Sequence, residues 1–202
     1  SPEGSDAAFT WEGFQAAVNS DLANVLGNFI NRITKYAASK FDGQVPATGE
    51  PGDAEAWMTA ELAERLPRLI EHYEAMEFRK AAAETRAIWA AGNEYLTKAE
   101  PWVKYKNDVD AAAVGVRAGL NLAALFGIIA LPIIPDAGKK ILDALGIPEE
   151  HRNLPGAKPN TDFAKLLDAL PHGMPITPPD VLFQKIEDEQ VAAWTEQFGG
   201  GN

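Results

Sequence analysis

Residues 118–135, "AGLNLAALFGIIALPIIP", pass eighteen positions without a charge, which just reaches the length at which a membrane-spanning helix has to be considered. Asn121 and Gly127 interrupt the run, and Pro132 and Pro135 would end a helix near its far end. Mixed polarity and a short span predict a buried core helix rather than a membrane span. The helix containing this stretch is predicted from about Asp108 to Leu131, followed by another from about Asp136 to Leu145.

Upstream, helical periodicity continues. Phe78, Ala82, Thr85, Ile88, Trp89 and Leu96 mark a helix that stops at "KAEPW", because Pro101 disfavours helical geometry at Glu100. Before it, Trp57, Leu62, Leu66, Leu69, Ile70 and Tyr73 define a helix with Asp53 as its expected cap and a kink expected at Pro67. The first helix is capped by Thr10 and runs from Trp11 to about Lys40, with Phe14, Val18, Leu22, Val25, Leu26, Phe29, Ile30, Ile33 and Ala37 at spacings of mostly three and four. Beyond Gly146 the stretches "GIPEEHRNLPGAKPN" and "LPHGMPITPPD" are rich in Pro and Gly and predict extended segments lying over the bundle, with a last helix from about Asp188 to Gln197. No internal repeat and no alternating strand pattern is present. The expected fold is all-α: an antiparallel bundle of four or five helices over residues 1–146, with an irregular Pro/Gly-rich extension over 147–202 whose terminal helix packs back on the bundle.

At 202 residues and 46% hydrophobic, the chain is long enough for one good core. A net charge of −11 argues against indiscriminate binding to nucleic acid or anionic membrane, although a local basic or amide-rich face could still select one polyanion. There are no cysteines, which excludes disulfides and thiolate metal sites and fits a cytosolic protein. The start, Ser-Pro-Glu-Gly-Ser, has no signal-peptide character and reads as the start of an excised fragment or processed chain.

Self-sufficient catalysis finds little support. His72, expected on an exposed helix face, and His151 and His172, expected in loops, show no metal-ligand spacing. The residues three before them, Leu69, Pro148 and Ala169, supply no Glu-x-x-His motif. Neither a Walker loop nor a G-x-S-x-G elbow occurs, and most carboxylates fall where solvated helix faces are expected. No catalytic residue and no metal site is assigned.

Two stretches offer binding chemistry instead. In "VNSDLANVLGNFINR", residues 18–32, the apolar positions fall on one side while Asp21, Asn24, Asn28, Asn31, Arg32 and Lys35 form a narrow polar stripe. Asn28 and Arg32, one turn apart, would present an amide and a guanidinium side by side, a pair suited to base edges and phosphates. An ordinary solvated stripe, or an Asn28 satisfied against a neighbouring helix, would look the same. In "EPWVKYKND", residues 100–108, Trp102 offers a flat face for a base, with Lys104, Tyr105 and Lys106 beside it. A tryptophan closing the core is the alternative.

Taken together, "FTWEGFQAAVNSDLANVLGNFINRITKY", "AIWAAGNEYLTKAEPWVKYK", "GLNLAALFGIIALPIIPDAGKKILDALG" and "DVLFQKIEDEQV" resemble, in order and over nearly the whole chain, the anticodon-binding part of the methionyl-tRNA synthetase family. Gln184 departs from it, standing where that family commonly has a proline. The resemblance implies that Asn28, Arg32, Pro101 and Trp102 contact a CAU anticodon, the indole lying against its first base, with Lys35, Lys104 and Lys106 touching the tRNA backbone. It implies tRNA-Met and the parent enzyme's catalytic domain as partners, and no membrane. ATP with Mg would serve the parent reaction, methionine activation and transfer to tRNA; this part needs no cofactor, and it carries neither an H-I-G-H-type nor a K-M-S-K-S-type motif. A helical protein-interaction scaffold with no nucleic-acid role is the competing expectation.

Overall fold

The computed structural model describes residues 25–180 together with Thr10, Glu12 and Gly13. Its helices are α1 (Gly27–Lys40), α2 (Asp53–Glu74), α3 (Phe78–Ala99), the single turn α4 (Pro101–Lys104), α5 (Val109–Ala130) and α6 (Pro135–Ala144), followed by two 3-10 turns, Glu149–His151 and Ala164–Leu167. Among the described residues the β content is one isolated bridge, Gln44 to Pro175. The predicted terminal helix, Asp188 to Gln197, and the polar positions Asp21 and Asn24 lie outside the described residues.

Helix α5 is the axis of the bundle: 94% of its most apolar window is buried, which satisfies the chargeless stretch at 118–135 without a membrane. Helix α1 packs Phe29, Ile30, Ile33 and Ala37 inward, α3 adds Ile88, Trp89, Tyr95 and Leu96, and α2 covers α3 with Met58, Leu62, Leu66 and Leu69 at the three-and-four spacing of a core-facing stripe. Each fully buried Leu or Ile in this set is worth about 1.5–3 kcal/mol. The Tyr95 hydroxyl bonds Glu55 Oε2 at 2.7 Å, and Arg65 reaches Glu84 at 3.1 Å, so polar contacts also join α2 and α3.

Several ends differ from expectation for local reasons. Gly52, rather than Asp53, caps α2, because Glu55 reaches back to accept the Gly52 N–H at 2.8 Å and makes Asp53 the first helical residue. Helix α2 continues through Pro67 to Glu74. His72 is not on an exposed face; its side chain is 19% exposed, with Nδ1 3.5 Å from Glu77 Oε1. Thr10 behaves as a cap, its hydroxyl accepting the Gly13 N–H at 3.1 Å. Asp108 caps α5 by accepting the Ala111 N–H.

The extended stretch after Gly146 is fastened to the bundle by polar groups as well as by buried Leu167, Leu170 and Ile176. Asn121, 3% exposed on α5, donates to the Arg117 carbonyl and accepts the N–H groups of Ala169 and Leu170, both at 2.9 Å. Val45 and Gly43 exchange backbone bonds with Gly173, Met174 and Ile176. Asn121→Leu should therefore cost about 1–3 kcal/mol by orphaning two N–H groups. Urea denaturation checks the magnitude, and accelerated amide exchange at Ala169 and Leu170 checks the cause.

Candidate nucleic-acid interface

One face of α5 seats both halves of the site. Gly119 lies against Ile33, the residue after Arg32; a Cβ on Gly119 would fall 2.6 Å from Ile33 Cδ1. One turn earlier Gly115 lies against Pro101, whose Cβ would be 3.2 Å from a Cβ on Gly115. The two glycines let α1 and α4 approach the same stretch of α5 closely. As a result Arg32 and Trp102, seventy positions apart in sequence, meet in space.

The turn that presents Trp102 follows from the sequence around it. Pro101 keeps Glu100 from continuing helix α3, and Glu100 takes the left-handed conformation common just past a helix end, φ 46 and ψ 52. Pro101, with φ already fixed, then occupies the first position of α4. Val103 and Lys104 both donate to the Glu100 carbonyl. This one-turn helix is absent from the sequence-based expectation, which placed a plain turn here.

The Arg32 guanidinium carbon lies 4.4 Å from the centre of the Trp102 ring system, a cation–π arrangement. Trp102 is half-buried, Arg32 and Asn28 are exposed on the same helix one turn apart, and Lys35, Lys104 and Lys106 are exposed. Pro101 is buried, so it sets the direction of the turn and contributes little surface.

Sequence reasoning singled out neither Tyr36 nor Phe41 as part of this surface and gave Tyr105 no part beyond its place beside Trp102. Tyr36 stands edge-on to Trp102, 6.2 Å between ring centres at 83°, and edge-on to Tyr105 at the same distance and angle. Phe41 closes the group, 5.7 Å from Tyr105. Lys40 Nζ lies 5.5 Å from the Tyr105 ring centre. Burial, and then the neighbouring Tyr105, push the Tyr36 phenol above its ordinary value. The signal was available: Tyr36 follows Arg32 by four on a helix, and Tyr105 follows Trp102 by three, the spacings that share a face.

Three clefts among the described residues lie away from this corner, one of them about 450 Å³ between Lys140 and Thr177. One of about 430 Å³ borders Arg117 and Asp168, and one of about 530 Å³ lies under the tail beside Asn121 and Met174. No group of three or more metal-ligating side chains occurs among the described residues.

The helix bundle has the fold of one part of a solved aminoacyl-tRNA synthetase. The fold resembles the solved methionyl-tRNA synthetase of Mycobacterium tuberculosis bound by methionyl-adenylate, with a TM-score of 0.72 at 26% identity, over 86% of this chain and 33% of that one. The chain belongs to the family of the anticodon binding domain of methionyl tRNA ligase, whose model matches residues 45–202; residues 1–34 match the model of tRNA synthetases class I (M). It is 83% identical, over 99% of its length, to a methionine–tRNA ligase of Hyphomonas neptunium, and 73% identical, over 98%, to one of Maricaulis maris. In both cases it spans 34% of the relative's length.

Proposed function

We propose that this bundle reads the CAU anticodon of tRNA-Met, through Asn28, Arg32 and Trp102, on behalf of a methionine–tRNA ligase of which it is the anticodon-binding part. The single observation that carries the reading is the guanidinium of Arg32 held 4.4 Å over the indole of Trp102 at an exposed corner. Anticodon bases are single-stranded and unstacked, and proteins read such bases by stacking them on aromatic rings or guanidinium planes while hydrogen-bonding their edges. The indole supplies the flat face. Arg32 supplies up to five N–H donors, suited to the acceptors on the Watson–Crick edge of a first-position cytosine, and the Asn28 amide supplies one donor group and one acceptor.

The overall charge of −11 does not forbid this. Lys35 on α1, Lys104 at the end of α4 and Lys106 just after it are exposed, and each neutralised phosphate releases condensed counterions. In the parent enzyme, ATP and Mg would act in the catalytic domain to activate methionine, and the bundle would choose which tRNA is presented for transfer. This work belongs to the cytoplasm, with tRNA and the catalytic domain as partners and no membrane.

The test compares a CAU anticodon stem-loop with one whose first anticodon base is changed, titrated against the full chain. The CAU loop should bind more tightly, and three lysine contacts should weaken its binding roughly 20-fold between 50 and 200 mM salt. Equal affinity for both loops would return the bundle to the reading of a protein-interaction scaffold. Binding indifferent to salt would overturn the assignment of the lysines.

A further inference from the structure

We propose that the turn joining α2 to α3, with Met76 and Phe78 at its tip, is the patch by which this bundle docks on the catalytic part of its own ligase. Like the anticodon reading, this rests on the chain being one part of a methionine–tRNA ligase, but it concerns the opposite end of the bundle and a protein partner rather than RNA.

Met76 is 72% exposed and Phe78 61%. The other large apolar side chains left exposed among the described residues, Val103 and Val109, follow the far end of α3 in the chain, so this pair forms a patch of its own. The backbone beneath it is well bonded. Met76 has φ 57, and the N–H groups of Met76 and Glu77 donate to the carbonyls of Tyr73 at 3.0 Å and His72 at 2.8 Å, the pair of bonds that closes a helix through a left-handed residue. The Glu77 carboxylate also contacts Lys80 and the His72 ring. Glycine is the usual residue at the left-handed position, because a Cβ is penalised there. This chain carries a long apolar side chain at that position instead and leaves most of it in solvent. A local preference broken without a gain inside the bundle points to a gain outside it.

Direction selects the partner. A Cβ on Gly92 would fall 3.3 Å from Phe29, and one on Gly119 would meet both Ile33 and Leu96. Four residues forward on α1 thus match four forward on α3, and the two helices run the same way. Asn93 Nδ2 also donates to the carbonyl of Val25, just before α1, at 3.2 Å. The chain therefore enters α1 from the side on which α3 begins, and Phe78 lies about 21 Å beyond Gly92 in that direction. The corner holding Arg32 and Trp102 is past the other end of α3, whose 22 residues span about 33 Å. The match to tRNA synthetases class I (M) ends at residue 34, inside α1, so the rest of such a ligase joins the bundle at the end where Met76 and Phe78 protrude.

Size selects the same partner. Two side chains bury a few hundred Å² at most, whereas stable contact between free proteins takes about 1,200 Å² or more. A part joined through the chain is held at an effective concentration on the order of millimolar, so a small apolar anchor suffices for it and not for a second copy or a free protein. Glu74, Arg79 and Lys80, all exposed beside the tip, supply the polar rim that such contacts carry.

The experiment compares the 202-residue chain with the whole ligase that carries it. Amide hydrogen exchange over residues 75–78 should be about tenfold or more slower in the ligase than in the chain, and Phe78→Glu should abolish the difference. That variant places a carboxylate in the first turn of α3, where the helix dipole favours it, so the chain itself should melt as the parent does and keep its preference for the CAU stem-loop. Met76→Gly, which relieves the left-handed position and keeps Phe78, should leave the chain at least as stable by thermal melt and still reduce the difference in the ligase. Equal exchange in chain and ligase, or a difference untouched by both variants, would overturn the docking. Protection that appears in the chain alone as its concentration rises would assign the patch to a second copy and overturn it as well. If the CAU preference is present while the protection is missing, only the docking falls; if the protection is present while the preference is missing, only the anticodon reading falls.

Discussion

Arg117→Met should lower the unfolding free energy by about 3 kcal/mol, although methionine matches the apolar helix around it better than arginine does. The guanidinium is 4% exposed in the middle of α5. Nη1 donates to the carbonyls of Thr48 at 2.7 Å and Pro46 at 3.2 Å, Nη2 to that of Gly49 at 3.0 Å, and Nε pairs with Asp168 at 3.2 Å. A single side chain thus fastens both the loop between α1 and α2 and the tail to the central helix. Removing it leaves three carbonyls without their donor, while Asp168 keeps its contact with His172 Nε2 at 2.8 Å. The ion pair is the smaller share, because Asp168 is 44% exposed and water can serve it once the arginine has gone; Asp168→Asn should accordingly cost under about 1 kcal/mol. Arg117→Lys should recover less than half of the Met loss, since one ammonium cannot reach carbonyls spread over four residues. In a thermal melt the Met variant should fall by roughly 6–12 °C for a chain of this size. A melt within a degree or two of the parent's would mean that solvent already satisfies the loop carbonyls and that Arg117 fastens nothing.

How far such features could be read in advance depends on whether their partners are near in sequence. The burial of 118–130 was legible, because Asn121 and two prolines broke a run that a membrane helix would have kept uniform. So was the end of α3, because a proline acts on its immediate predecessor. Asp53 was mistaken for a cap because two adjacent residues could each begin a helix, and the choice between them lay in Glu55, whose carboxylate reaches back to Gly52. Arg117 and Asn121 were beyond reach: their partners lie 48 to 71 positions away, and a polar residue in an apolar helix does not announce which backbone it will meet. Asn28 and Arg32 could be paired from helix spacing, and Trp102 singled out from its proline. Bringing Arg32 to Trp102 needed Gly115 and Gly119, whose lack of a side chain carries no periodic signal. His72 shows the opposite limit, since a polar residue on a helix reads as exposed until the next turn, here Glu77, folds over it.

Trp102→Ala should weaken binding of a CAU stem-loop by about 5- to 150-fold, the range expected from losing 1–3 kcal/mol of base stacking. The indole also supports Tyr36 and is half-buried, so a truncation there mixes lost stacking with loosened packing. Arg32 separates the two. It is exposed, and its removal costs the folded chain only a cation–π contact of about 0.5–1 kcal/mol. Arg32→Lys retains the positive charge but loses the planar fork, so the salt slope of binding should stay within about one contact of the parent's while discrimination between C and other first bases falls roughly tenfold or more. Arg32→Ala should lose that discrimination as well and leave the slope near the parent's, because Arg32 meets a base edge rather than a phosphate. If Arg32→Lys bound every stem-loop as the parent does, the guanidinium would be acting as a point charge alone, and selection of the first base would have to come from Asn28 and the shape of the indole pocket. If it lost affinity equally for all first bases, Arg32 would be holding Trp102 in place rather than touching a base edge, and Trp102 fluorescence would differ between the variant and the parent before any RNA was added.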